Sequence, residues 1–405
     1  MQVAKKLQLA VLVLVLSASN VFALTWQEAL KVAEKNNHEL ISAQKQVEAS
    51  EWSYRKAMSV FLPNLSAQAS IGEATARASS YGLSVTQTLF DGTQNIYGLK
   101  SAYADLESEK ASLAATRASV YYDLRSAFIT LVIKQEQLKL YEQLLDQREE
   151  NSGLVQLRYE SGKEDKGNLM TTQADEKQAE YDLASAKRDL KLAKLKLSQL
   201  LKREVDVVEA AGELKEIKAA DFAGLVKTAP DYIIARKQLE SYELAQKESL
   251  SGFLPSLSLS GSYRKTGTDW PPDVSSSKSW SLSLSYPLFN GGSNIADRVI
   301  ANVQLDQAKE DFAKTVDDFR YSLERAFQDH QDALESLDVS KVSLAAGKER
   351  AKITEAKYLN GLTTYDEWYR IENTFFQTQK NLLTSKQSAY LAEAAWHKTY
   401  GGYIQ

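Results

Sequence analysis

The side chains able to do acid–base, nucleophilic or metal chemistry are few and scattered along this sequence. His38, His330 and His397 stand far apart, and there is no cysteine, which excludes thiolate metal sites and a disulfide framework. A general base or a metal centre needs several such groups converging. His330 instead falls in a seven-residue apolar column, at the place held by Leu131 199 residues earlier, and reads as a packing or register element. A P-loop, a His-Glu-x-x-His and a Gly-x-Ser-x-Gly are all missing. Acidic neighbours such as Glu149-Glu150 and Asp317-Asp318 read as solvated helix faces. The expectation is therefore no enzyme, no cofactor and no metal. With a net charge of −4, there is also no broad basic field for nucleic acid.

The elements that must carry these residues announce themselves by repetition. Phe61-Leu62-Pro63-Asn64-Leu65-Ser66 returns as Phe253-Leu254-Pro255-Ser256-Leu257-Ser258, an offset of 192. Leu89-Phe90-Asp91-Gly92 returns as Leu288-Phe289-Asn290-Gly291, and Arg158-Tyr159-Glu160-Ser161-Gly162 as Lys357-Tyr358-Leu359-Asn360-Gly361, both at 199. Seven residues are thus inserted between the first two landmarks, and beyond the second the lengths agree. All six prolines lie outside 93–229 and 288–405, so both tracts can be continuous helix. Leu106, Leu113, Val120 and Ala127 form one heptad column; Leu124, Leu131, Leu138 and Leu145 form the other. From Gln94 to Gly162 such a helix would run about 100 Å.

Between the landmarks the period falls from seven to two. Leu65, Ala67, Ala69 and Ile71 alternate with polar residues, as do Leu83, Val85 and Leu89. Leu257, Leu259 and Tyr263 alternate with serines, and so do Trp280, Leu282, Leu284, Tyr286 and Leu288. These lengths suit tilted membrane strands, with Trp280, Tyr263 and Tyr286 near their ends like an interfacial girdle. A soluble half-buried hairpin gives the same alternation. Export tips the reading toward the membrane: Lys5-Lys6, an apolar run from Leu7 to Leu16 and Val21-Phe22-Ala23 have the form of a signal peptide. The expected organisation is a signal peptide at 1–23, a first repeat at 24–210 and a second at 211–405. The first repeat holds a strand pair at 62–90 and a helical hairpin at 93–205, the second a strand pair at 254–289 and a hairpin at 292–400. Four strands cannot close a barrel, and an open edge in lipid leaves backbone groups unpaired, so oligomers follow.

With its opening Leu24-Thr25-Trp26-Gln27-Glu28-Ala29-Leu30, its paired Phe-Leu-Pro and Leu-Phe-x-Gly landmarks and its paired Tyr-x-x-Gly turns, the chain resembles the TolC-like outer-membrane efflux protein family. The resemblance covers essentially the whole mature chain. It implies a mainly α fold with a membrane β-barrel, in which a homotrimer closes one twelve-stranded barrel and a periplasmic α-helical barrel. It also implies an exit duct of a tripartite efflux or type I secretion system, sited in the outer membrane of a Gram-negative-type cell. The partners implied are outer-membrane lipid, a periplasmic adaptor and an inner-membrane transporter of RND, ABC or MFS type. Adaptor docking falls to the hairpin tips at Tyr159, Gly162, Tyr358 and Gly361, and strand starts to Pro63 and Pro255. A periplasmic gate falls to Asp366 and Glu367, while Arg370 occupies the second acidic position of the family pattern. Without the resemblance, those two carboxylates read as ordinary helix N-terminal residues. The competing class is a non-conducting periplasmic coiled-coil adaptor or tether.

Overall fold

The computed structural model describes residues 23–73, 77–210, 212, 214, 217, 221–273 and 275–404. The segment expected to be a signal peptide lies outside these residues except for Ala23. The chain is mostly helical. In order it runs α1 (Trp26–Asn36), α2 (His38–Ser59), β1 (Asn64–Glu73), β2 (Arg77–Asp91), α3 (Gln94–Glu160) and α4 (Lys166–Leu201). There follow α5 (Phe222–Thr228), α6 (Pro230–Glu248), β3 (Ser256–Gly267), β4 (Ser275–Ser285), α7 (Ser293–Leu359) and α8 (Tyr365–Thr399).

Local chemistry sets the element ends. Thr25 and Glu28 form a reciprocal capping box that starts α1: the Glu28 amide donates to Thr25 Oγ1 at 3.2 Å and the Thr25 amide to Glu28 Oε2 at 3.3 Å. The two long helices α3 and α7 have 67 residues each, and neither contains proline. Both stop at a glycine in the left-handed region, Gly162 at φ +71 and Gly361 at φ +72, which a side-chain-bearing residue rarely adopts. The turns use the same bonds. Lys163 N–H donates to Arg158 O and Leu362 N–H to Lys357 O, both at 2.8 Å. Asp165 and Thr364 then cap α4 and α8, accepting from the Asn168 and Glu367 amides at 3.0 and 3.3 Å.

The chain divides into two compact units. One gathers the described residues up to His38 with Ala118–Ala219 and Arg325–Gln405. Its core holds Leu124, Phe128, Ile129, Leu131 and Ile133 of α3 with Leu197 and Leu201 of α4. The buried ones include Leu124, Leu131 and Ala127 from the predicted heptad columns, and His330 is fully enclosed. Arg125 is buried as well, with its guanidinium 4.9 Å from the Trp26 ring and 5.6 Å from that of Tyr390. Burial pushes its pKa down, opposed by the charge of buried Glu393. Trp26 Nε1 also donates to Ile404 O at 3.0 Å, tying the start of the unit to its end.

The other unit, Glu39–Arg117 and Ala220–Glu324, carries the strands. Leu239 of α6 packs there on Leu305 and Ala308 of α7, with Phe312 beside them. The strands form one antiparallel sheet in the order β1-β2-β3-β4, and the β2–β3 ladder joins segments far apart in sequence. A bulge between Thr88 and Phe90 shifts the register at the foot of β2. β4 ends at Ser285, short of the sequence alternation that continues to Leu288, because Pro287 has no N–H to give to a ladder. Among the described residues the sheet is not closed: β1 and β4 are edges.

Candidate functional site

The sheet has two faces of opposite chemistry. One row of the register aligns Leu65, Val85, Gly261 and Trp280; the neighbouring row on that face aligns Ala67, Leu83, Tyr263 and Lys278. Far from forming a core, these apolar side chains are open: Leu65 is 70%, Ile71 72%, Trp280 79% and Leu284 69% exposed. The opposite face is built of hydroxyls that bond across the strands. Ser66 pairs with Ser84 at 2.7 Å, Ser260 with Ser281 at 2.8 Å and Ser262 with Ser279 at 2.9 Å. Pro63 and Pro255 stand immediately before β1 and β3, where a missing N–H costs the ladder nothing. Such a sheet fits a boundary between an apolar medium and a polar one.

A second site lies in the first unit, where the turns carrying Gly162 and Gly361 meet. Tyr358 stacks on Trp368, with centroids 4.5 Å apart and planes 2° apart, and Tyr365 sets its edge against both. Val155 and Leu169 complete this buried cluster. The Tyr358 hydroxyl donates to Glu164 Oε2 at 2.7 Å, and Arg158 lies 3.7 Å from that oxygen with its guanidinium over the Tyr358 ring at 4.5 Å. Tyr369 Oη donates to Asp175 Oδ1 at 3.3 Å, while Arg148 donates to Asn373 and Gln147 to Glu372. The Arg158–Glu164 pair lies within the α3–α4 hairpin; the other polar contacts join that hairpin to the α7–α8 hairpin.

Burial and the adjacent Glu164 carboxylate push the Tyr358 hydroxyl well above its usual range, so it stays a donor at any physiological pH. Burial likewise raises Glu372, aided by the charge of Glu355 and opposed by Arg148 and Gln147. Two buried polar atoms in the cluster, Tyr365 Oη and Trp368 Nε1, have no hydrogen-bond partner among the described residues.

The sequence-derived tip residues separate here. Tyr358 is 1% exposed and belongs to the cluster, whereas Tyr159 is 38% exposed and stands outside it. Gly162 and Gly361 face open space at the turns. Asp366 is exposed in the first turn of α8. Glu367 is a hydrogen-bonded partner of Arg370 and lies 3.7 Å from Arg350. The bond from Arg370, with the charges of Arg370, Arg350 and Lys357, holds its carboxyl below the usual range. Sequence reading missed the aromatic cluster and its ties to Glu164 and Asp175. Its signal was Tyr358, Tyr365, Trp368 and Tyr369 at helical spacing astride one glycine; the places of Trp368 and Tyr369 in the first half hold Leu169 and Met170.

A family model described as outer membrane efflux protein matches residues 29–202 and again 228–402. The chain belongs to the outer membrane efflux protein family. It is accordingly an outer-membrane protein, and its relatives are transport proteins. It is 24% identical over 410 residues to the outer membrane protein OprJ of Pseudomonas aeruginosa, covering 92% of this chain and 82% of that one. The probable outer membrane lipoprotein SilC of Salmonella typhimurium is 24% identical over 305 residues, covering 72% and 63%. In fold the family member resembles the crystal structures of CusC, at a TM-score of 0.84 and 18% identity over 93% of this chain and 92% of that one. It also resembles the Campylobacter jejuni outer membrane channel CmeC, at 0.81 and 16% over 94% and 86%.

Proposed function

We infer that this chain is the exit duct of a tripartite efflux or type I secretion system, working as a homotrimer. In this reading each subunit contributes four strands to a twelve-stranded barrel, and the tandem helical hairpins form a periplasmic α-helical barrel. Substrate arrives from an inner-membrane transporter of RND, ABC or MFS type through a periplasmic adaptor that docks at the hairpin tips. The carrying observation is the sheet. It exposes an apolar face, keeps a hydroxyl face and leaves both edges free, and lipid tolerates no unpaired edge. Three copies closing edge to edge satisfy every strand and leave a water-filled lumen lined by the serine face.

The tips fit the closed end of such a duct. The cluster around Tyr358 holds the two hairpins of one subunit together, so passage requires its polar ties to part. Energy then comes from the transporter, and the duct conducts passively.

Planar-bilayer conductance of the detergent-extracted protein, with its oligomer mass measured on the same sample, tests the assignment. Discrete conductance steps from a trimer are expected. A monomer without conductance, after correct signal processing had been confirmed, would replace the duct by a non-conducting tether.

A further inference from the structure

The hydroxyl face of the sheet carries a guanidinium, that of Arg264. Arg264 sits three residues before the end of β3, in the register row Gln68–Gly82–Arg264–Ser277. Its side chain is exposed, and Nη2 donates to Ser80 Oγ at 2.9 Å. A guanidinium has five N–H donors, so this one keeps most of them free. It makes no ion pair among the described residues: on the opposite face Lys265 lies 3.7 Å from the loop carboxylate Asp273. Among the described residues, Asp91 is the other charge on the hydroxyl side, nine positions along β2 from Gly82 and so about 30 Å away at the helical end. Its carboxylate is held at the start of α3, where the Asn95 amide donates to Oδ2 at 2.8 Å. Gly82, directly opposite Arg264, adds no side chain to cover it.

We propose that Arg264 forms the anion-binding site of the lumen: three copies make a cationic ring near the loop end of the barrel that takes polyvalent oxyanions such as phosphates and polycarboxylates. This rests on the duct reading, because the ring exists only if the hydroxyl face lines the lumen. Chemically, the site is a guanidinium set among neutral hydroxyls, the combination that binds oxyanions by charge-assisted hydrogen bonds without a competing carboxylate. It differs from the tips in both sign and place.

The test uses purified full-length trimers in planar bilayers, with inorganic tripolyphosphate added to each side in turn. Block from one side only is expected in the wild type. Arg264→Gln should weaken that block by about tenfold, as the loss of three charges facing a polyvalent anion implies, and Arg264→Lys should keep most of it. Ser277→Asp, which sets a carboxylate opposite an intact Arg264, should weaken it as well. Equal block in wild type, Arg264→Gln and Ser277→Asp, all conducting, would overturn the site while leaving the duct standing. Wild-type trimers without any conductance would overturn the duct itself and the ring with it.

Discussion

Replacing Tyr358 by Phe removes one oxygen from the tip and little else. The ring can keep its stack on Trp368 at 4.5 Å and its place under the Arg158 guanidinium, so packing is preserved. What disappears is the 2.7 Å bond to Glu164. Glu164 and Arg158 are only 11% and 20% exposed, so solvent screens this contact weakly. A hydrogen bond to a charged group contributes about 1.5–3 kcal/mol. Because Arg158 continues to neutralise Glu164, the lower part of that range applies, about 1.5–2 kcal/mol, or roughly 10- to 30-fold in an opening equilibrium for each subunit. Single-channel recording should therefore show a higher open probability or a larger mean conductance for Tyr358→Phe than for wild type. The melting temperature of the extracted protein serves as a control for general loosening. Open probability within twofold of wild type, at unchanged melting temperature, would refute the claim that this bond holds the tips closed.

Three further outcomes follow from the same geometry. Glu372 has a raised pKa in the fold, so its contribution to stability is complete below the ordinary carboxylate range and is lost as pH rises through the raised value. Thermal unfolding of the wild type should show this loss, and Glu372→Gln should flatten the profile in that window. Gly82→Ala would place a Cβ 2.4 Å from the Tyr263 carbonyl oxygen, forcing β2 from β3. A destabilisation of about 1–3 kcal/mol is expected, read as a lower melting temperature. Glu367 is compensated by Arg370 and Arg350, whereas Asp366 is exposed. Asp366→Asn should therefore lower cation preference in reversal-potential measurements more than Glu367→Gln does, and equal effects would show that the arginines do not shield Glu367.

Period and punctuation made the architecture readable. Proline-free tracts bounded by Gly162 and Gly361 mark long helices and their turns because a helix runs on without proline and a glycine in the left-handed region ends it. Alternation marks the strands because each faces two media. β4 ends before its apolar alternation does for a local reason: the alternation continues past Pro287, but ladder pairing cannot. The tip ties were illegible for a different reason. Glu164 and Tyr358 are 194 residues apart, and no periodicity within one helix says which carboxylate a tyrosine on another will meet. Arg125 was hidden likewise, since a buried guanidinium between Trp26 and Tyr390 looks in sequence like any helix-surface charge.

The equal length of α3 and α7 has a consequence for how such a chain can change over time. Each leaves the strand region and ends at the tip, where the guanidinium of Arg158 reaches the carbonyl of Tyr358 at 3.4 Å. Losing one residue from either helix alone would draw its end back by about 1.5 Å and turn it by about 100°, carrying Arg158 away from its partner. A change of length in one of these helices keeps that contact only when the other changes with it, which couples the lengths of two segments far apart in the sequence. Loops escape this tie, and the seven extra residues of the second strand pair are found where length is free.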